Sequence, residues 1–192
     1  LLHLYDLNNN TRLGKISTTS LTSYEGQWVN VICTYDGRGG SNAEEGIKLY
    51  LNGLEMTTTD LTKSGTYVSM HNTNQPLYIG HRGNDNYSNG KIDETAIFDV
   101  ELSASDVTNI YNNGVPNDIS SLSPVSWWRC GDGDTSTTLY DNGSGGNDGT
   151  LVSFNSYSND VPKFNSNSIE LDGTNDFVTF GDISDIKNIN NL

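Results

Sequence analysis

The fold is decided by the stretch Gly90-Lys-Ile-Asp-Glu-Thr-Ala-Ile-Phe-Asp-Val-Glu-Leu-Ser-Ala-Ser-Asp-Val-Thr-Asn-Ile-Tyr-Asn-Asn-Gly114. Its first part alternates with the period of two that is typical of a strand packed on a core. One predicted face carries Ile92, Ala96 and Phe98, and the other carries Asp93, Thr95 and Ile97. The strand leads directly into one short helix.

The helix has recognisable signals at both ends. Ser103 is the predicted N-cap, and Asp106 three residues later completes a capping box. Leu102 and Val107 have the spacing of a hydrophobic staple. Asn-Gly at residues 113–114 predicts a left-handed exit.

Composition predicts an all-β protein around this helix. Of the 192 residues, 18% are charged and 33% hydrophobic, and 20 are Gly, so turns are frequent and long helices are not expected. A net charge of −14 argues against binding to nucleic acid or to an anionic membrane surface. The acidity favours either cation binding or simple solubility. No stretch of transmembrane length occurs, so membrane insertion is not expected.

Many short strands are predicted. Residues 47–51 and 54–56 flank Asn52-Gly53, the dipeptide typical of a type I′ hairpin turn. The other predicted strands are residues 28–35, 65–70, 76–79, 91–99, 126–129, 149–152, 168–171 and 177–180. Many short strands with one helix indicate a β-sandwich.

Two cysteines, Cys33 and Cys130, fall within predicted strands. They are either two buried free thiols or a disulfide between neighbouring strands.

A polar, proline-containing segment at residues 112–124 interrupts the strand pattern and predicts a boundary. The predicted parts are residues 1–114, a linker at 115–124, and residues 125–192. Because the chain begins with Leu, we expect it to be a piece of a longer protein.

Five segments in sequence carry a family resemblance: residues 26–37 with Gly-Gln-Trp-Val-Asn-Val, 47–53, 77–80, 89–98 with Gly-Lys-Ile-Asp-Glu, and 102–107. They resemble the second half of a laminin G-like domain of the concanavalin A-like superfamily, over residues 21–114. Residues 124–182 resemble the first half of such a domain. The resemblance implies a concanavalin A-like jelly-roll β-sandwich with one short helix.

The inverted order of the halves has two explanations. The chain is either cut from a tandem array, or it is a permuted or swapped arrangement in which residues 124–192 complete residues 1–114. The linker and its neighbours also look similar to repeats of marine bacteriophage surface and tail-associated proteins. That resemblance implies an extracellular or virion location, with neighbouring domains of one large protein as partners.

The resemblance further implies a calcium site. The matching positions are Asp93, Asp141, Ser144, Asn147, Asp148 and Asp172. Hard oxygen ligands of this kind suit Ca²⁺, but Asp and Asn are also ordinary turn residues. The spacing of the 141–148 loop differs from that of the family, which affects Ser144 and Asn147.

Sugar binding would use exposed aromatic rings with short polar side chains beside them. The candidates in predicted loops are Tyr24, His81, Arg82, Asn84 and Tyr87. The predicted ligand is a glycan or a glycosylated cell-surface receptor.

Two other functions are weighed against a binding module. A structural spacer without ligand would have the same fold. A glycoside hydrolase needs two carboxylates that face one another, whereas neighbouring Asp93 and Glu94 on a regular strand point to opposite faces. The Glu-x-Asp-x-x-Glu arrangement of the hydrolase branch is absent as well. We therefore predict a protein that is not an enzyme.

Overall fold

The structure is a computed structural model, and it describes residues 1–61, 65–70, 73–83 and 86–183. By its contacts the chain divides into two compact units. The described residues of unit 1 fall within 1–73 and 100–117, and those of unit 2 within 74–99 and 118–183.

Unit 1 holds two antiparallel sheets among its described residues. One has the order β1-β2-β6 and the other the order β3-β4-β5. The strands are β1 Leu2–Asp6, β2 Thr11–Ser17, β3 Val31–Tyr35, β4 Ile47–Leu51, β5 Leu54–Glu55 and β6 Thr58–Asp60. The turn between β4 and β5 has Asn52 at φ 50° and Gly53 at φ 77°. These two left-handed residues confirm the predicted Asn-Gly hairpin.

The predicted helix is α1, Ala104–Tyr111, also in unit 1. Ser103 accepts the backbone N–H of Asp106, and the Asp106 carboxylate accepts the N–H of Ser103, so the capping box is confirmed. The left-handed exit begins at Asn112, one residue earlier than predicted, and continues through residues 113–114. No helix in the described part of the chain is long and apolar enough to cross a membrane.

In its described part, unit 2 holds three antiparallel sheets, in the orders β10-β9, β11-β12-β15-β7 and β13-β14-β8. The strands are β7 Tyr78–Ile79, β8 Asn89–Ile92, β9 Thr95–Ile97, β10 Ser126–Trp128, β11 Thr138–Leu139, β12 Gly149–Val152, β13 Tyr157–Ser158, β14 Ser168–Asp172 and β15 Phe177–Thr179. Thus all three strands from residues 74–99 pair with strands that lie beyond residue 124.

This pairing combines residues 74–99 with residues beyond 124 in the same sheets. The predicted parts 1–114, 115–124 and 125–192, in contrast, follow one another along the chain. It is the kind of pairing that a permuted arrangement requires. The predicted boundaries concern the domains of a longer protein, and they stay a prediction.

Each unit has its own apolar core. The core of unit 1 is small, with Leu13, Ala43, Ile47, Leu49 and Tyr67 buried together. The core of unit 2 is larger, with Trp128, Cys130, Leu139, Leu151, Ile169, Leu171, Val178, Phe180 and Ile183 buried together. Since sheets are stabilised by burying an apolar face, the larger core holds the sheets of unit 2 together.

Three expectations about local structure are wrong. Residues 65–70 do not form a strand, and only Tyr67 makes an isolated bridge, to Gly40. Strands β1 and β2 were not predicted, although Leu2 and Leu4 alternate with His3 and Tyr5 in β1. Cys33 is exposed rather than buried; Cys130 is buried, and both thiols are free.

The decisive strand itself is interrupted. Residues 91–99 were expected to be one strand, but β8 ends at Ile92 and β9 begins at Thr95. Glu94 between them has φ 50°, which breaks the alternation. As a result Ile92 and Ile97, predicted on opposite faces, both pack against the core of unit 2.

Candidate functional site

A hairpin at one edge of unit 2 carries a cluster of aromatic rings. The hairpin connects β7 to β8, and His81 and Tyr87 face each other across it as an isolated antiparallel bridge. Two backbone hydrogen bonds hold it: Ser88 donates to the carbonyl of Gly80 at 2.8 Å, and Arg82 donates to that of Asn86 at 2.9 Å. The side chains of residues 81 and 87 are therefore fixed relative to the sheet.

Four rings meet there, and we call Tyr78, His81, Tyr87 and Phe177 the aromatic cluster. His81 is stacked on Tyr87, with ring centroids 4.9 Å apart and an interplanar angle of 27°. Phe177 lies 5.1 Å from His81 and 6.2 Å from Tyr87, tilted by about 35° in both cases. Tyr78 meets His81 and Phe177 edge-on, at 5.1 and 5.7 Å.

Strand register explains why two of these rings, Phe177 and Tyr78, lie on the face away from the core. In the pairing of β15 with β7, Val178 is opposite Ile79, and both side chains belong to the core of unit 2. Their sequence neighbours Phe177 and Tyr78 must then lie on the other face. Tyr78 is 37% exposed, and the other three rings are half-buried.

Gly80 allows the chain to turn from the sheet into the hairpin. It has φ 83°, and a Cβ atom at this position would lie 2.6 Å from Cδ1 of Leu171. Any other residue would be strained there and would collide with the core. Gly80 thus places His81 over Phe177.

Two polar atoms in or next to the cluster are buried without a hydrogen-bond partner among the described residues. They are Nδ1 of His81 and Oδ1 of Asp176. Burial raises the pKa of Asp176 above its ordinary range. Unpaired buried polar atoms cost free energy and are uncommon, so they mark this edge of unit 2 as unlike the rest of its core.

The residues predicted to bind sugar separate into three groups. His81 and Tyr87 are stacked in the cluster, and Arg82 is exposed in the adjoining hairpin. Asn84 lies outside the described residues. Tyr24 belongs to unit 1, in the 3-10 turn Thr22–Tyr24, and is not part of the cluster.

Tyr78 and Phe177 were not among the residues predicted to bind sugar. Their position next to a core residue in a short strand could have indicated that their rings face outward. The missing information was the pairing of β7 with β15, which brings together residues 99 positions apart in the sequence.

A second polar group in unit 2 lies around Glu94, and we call Asp93, Glu94, Arg129, Asp132 and Asn165 the carboxylate network. Oε2 of Glu94 accepts the indole N–H of Trp127 at 2.7 Å. Oε1 of Glu94 accepts from Arg129 Nε at 3.2 Å and from Asn165 Nδ2 at 2.8 Å. The same Asn165 Nδ2 donates to Oδ2 of Asp93 at 2.9 Å.

This geometry corrects the expectation that Asp93 and Glu94 point to opposite faces. Both carboxylates accept from a single amide nitrogen, because the positive φ of Glu94 turns its side chain back towards that of Asp93.

The network ties a loop to the sheet. Arg129 Nη2 donates to Asp132 Oδ2 at 3.1 Å. Oδ1 of Asp132 accepts the backbone N–H groups of Ser166 and Asn167 at 3.1 and 3.0 Å. Burial, with the neighbouring charge of Glu94, raises the pKa of Asp93 to about 7, although the hydrogen bond from Asn165 acts in the opposite direction.

The predicted calcium ligands are used largely by the protein itself. Asp141 Oδ1 accepts the N–H groups of Trp127 and Gly143, and its Oδ2 accepts that of Asn147. Asp148 accepts the N–H of Asp141 at 2.9 Å. Backbone N–H groups thus already occupy some of the lone pairs that a cation would need.

The remaining ligands lie in other groups. Asp93 belongs to the carboxylate network, and Asp172 accepts the N–H of Thr174 at 2.7 Å. Ser144 donates to the carbonyl of Pro124. Among the described residues no three His, Cys, Asp or Glu side chains are gathered as a metal site would need. Calcium binding at these residues stays a prediction.

The comparison with family models matches residues 4–108, more than half of the chain, to the concanavalin A-like lectin/glucanases superfamily. The chain belongs to this superfamily, in its laminin G-like branch. With the sheets and the single helix described above, the predicted all-β, concanavalin A-like β-sandwich class is confirmed. No curated protein and no solved structure matches the chain.

Proposed function

We propose that the protein is a non-catalytic carbohydrate-binding and adhesion module, and that the aromatic cluster is its binding surface. The observation that carries the proposal is the meeting of four partly exposed rings, Tyr78, His81, Tyr87 and Phe177, on one edge of unit 2. Sugar rings have apolar C–H faces that pack on aromatic rings and hydroxyl rims that need polar partners.

The surroundings of the cluster supply such partners. The exposed Arg82 side chain stands next to His81 in the hairpin, and the phenol groups of Tyr78 and Tyr87 can both donate and accept hydrogen bonds. The rings hold one another in place, so little conformational entropy is lost when a ligand binds.

The setting in which this module works is proposed from the family resemblance. It is an extracellular or virion surface, where the module would be one part of a large protein, and its partner would be a glycan or glycosylated receptor. The net charge of −14 agrees with a ligand that is neither nucleic acid nor an anionic membrane. Calcium binding is part of the same proposal, and a calcium titration of the full chain, with EDTA as control, tests it separately.

A glycoside hydrolase is the second candidate, favoured by the approach of Asp93 and Glu94 to one amide nitrogen. We propose binding rather than hydrolysis because the two oxygens of Glu94 already accept three N–H groups of the protein. Release of reducing ends from a bound polysaccharide, abolished by Glu94→Gln, would support the hydrolase instead.

The test of the binding function is a glycan array probed with the full chain, followed by titration calorimetry on the sugars that bind. Tyr87→Ala should weaken binding at least tenfold, since truncating a central aromatic contact costs about 2 kcal/mol or more. Phe164→Ala is the matched control, because Phe164 is 89% exposed and lies outside the cluster. Equal loss in both variants, or none in Tyr87→Ala, would contradict the proposal and favour a structural spacer.

A further inference from the structure

The aromatic cluster lies at the end of a longer surface, the solvent face of the sheet β11-β12-β15-β7. Register defines this face. Leu139, Leu151 and Val178 are buried in the core of unit 2, so the residues that alternate with them face outward.

One row of outward residues crosses all four strands. Thr138 is opposite Thr150, Thr150 is opposite Thr179, and Thr179 is opposite Tyr78. Three threonine hydroxyls therefore lead across the sheet to the first ring of the aromatic cluster. Thr150 is exposed, and Thr138 and Thr179 are half-buried.

A second row runs beside the first. It contains Val152 opposite Phe177, and the register continues to Gly80, which has no side chain. The Phe177 ring is instead contacted by His81 and Tyr87 from the hairpin that follows this glycine. The two rows together contain only uncharged residues, in a chain of which 18% is charged.

The far end of the face carries another ring. Tyr140 follows β11 two positions after Thr138, so alternation places it on the outward face, and it is 43% exposed. Adjacent strands are about 4.8 Å apart, so three strand spacings separate the β11 and β7 ends by about 14 Å. That distance is longer than one monosaccharide.

We infer that this face binds an extended, uncharged oligosaccharide. The aromatic cluster would hold one end, the hydroxyls of Thr138, Thr150 and Thr179 would contact successive sugars, and Tyr140 would support the other end. This inference rests on the proposed function and adds the size and charge of the ligand. An uncharged ligand suits rows without charged side chains, and Asp148, which immediately precedes β12 beside Tyr140, would repel an anionic sugar.

The test compares short and long ligands on the full chain. The probes are the two- and six-residue members of three neutral glucan series: maltose and maltohexaose, cellobiose and cellohexaose, and laminaribiose and laminarihexaose. We expect the hexamer of the recognised series to bind at least tenfold more tightly than its dimer. Tyr140→Ala should remove that advantage, so that the hexamer binds no more tightly than the dimer.

Thr150→Val tests the hydroxyl row with a side chain of nearly the same shape. It should weaken hexamer binding severalfold. The control Thr174→Val, at an exposed threonine outside the face, should change neither hexamer nor dimer binding. A hexamer that binds no better than its dimer would overturn the inference and leave the proposed function intact. Tighter binding of a sulfated heparin hexasaccharide would overturn the uncharged character of the ligand. Failure of all six glucans to bind would overturn the inference, whereas the glycan array decides the proposed function separately.

Discussion

The aromatic cluster and the carboxylate network both lie in unit 2, yet they differ in how their polar and apolar groups are used. Within the network, Glu94 accepts three N–H groups of the protein, and Asp132 accepts two backbone N–H groups and one from Arg129. In the cluster the rings contact one another and solvent, and Nδ1 of His81 has no partner among the described residues. A group that the protein has already paired stabilises the fold, whereas an exposed ring surface remains open to a ligand.

The largest effect should follow from breaking the network. Glu94→Ala leaves the Trp127 indole N–H and Nε of Arg129 without an acceptor. Nδ2 of Asn165 loses one of its two acceptors and keeps Asp93. Each buried group that loses its partner costs about 1–3 kcal/mol, and we expect a total loss of about 3 kcal/mol, because part of the network reaches solvent. Urea unfolding measures this change. Glu170→Ala, a change at an exposed glutamate of β14, is the control and should stay within about 0.5 kcal/mol.

A change at Gly80 should damage the cluster and the core together. In Gly80→Ala the new methyl group would lie 2.6 Å from Leu171 and would be held at φ 83°. We expect a loss of about 2 kcal/mol of unfolding free energy, together with weaker glycan binding. Gly133→Ala is a suitable control, because its φ of 92° imposes similar strain but its Cβ would meet no atom within 4 Å. If both variants lost the same stability, the collision with Leu171 would not be the cause.

The network should also give a specific pH dependence. The pKa of Asp93 is raised to about 7 in the folded protein, from about 3.9 in an unfolded chain. The folded state therefore binds the proton more tightly, so the contribution of Asp93 to stability is greatest below pH 4 and declines as pH rises through 7. As the pH is raised from 5 to 8, the unfolding free energy of the wild type should fall relative to that of Asp93→Asn. A difference that stays constant over this range would show that Asp93 is not buried as described.

The smallest effect on stability should come from the exposed edge of the cluster. Tyr78→Phe keeps the ring contacts with His81 and Phe177 and removes only a solvent-facing hydroxyl. We expect the unfolding free energy to change by less than about 0.5 kcal/mol, while a ligand hydrogen bond to that hydroxyl would be lost. A large loss of stability would mean that this edge is structural and would remove the contrast between the two regions.

Local signals predicted a good part of this molecule. The capping box of Ser103 and Asp106 and the Asn52-Gly53 turn depend on residues close in sequence, and both were predicted correctly. Glu94 was not, because its positive φ follows from contacts with Trp127 and Asn165, which lie far away in the chain. No pattern around residues 93–94 indicates the interruption.

The candidate site shows the same limit. His81 and Tyr87 could be proposed from the sequence because they stand in a polar, glycine-containing hairpin. Phe177 could join them only once β15 was known to pair with β7. For the predicted calcium ligands, the sequence alone does not separate a metal ligand from a turn residue. Asp141 and Asp172 occur in turns and accept backbone N–H groups of those turns.

Titration calorimetry of the variant Tyr78→Ala/Tyr87→Ala decides whether the aromatic cluster binds a glycan. We expect this variant to stay folded, to bind the array-selected glycan at least a hundredfold more weakly, and to keep the pH dependence that Asp93 gives the wild type. A folded double variant that binds the glycan as tightly as the wild type would show that the aromatic cluster is not the binding surface.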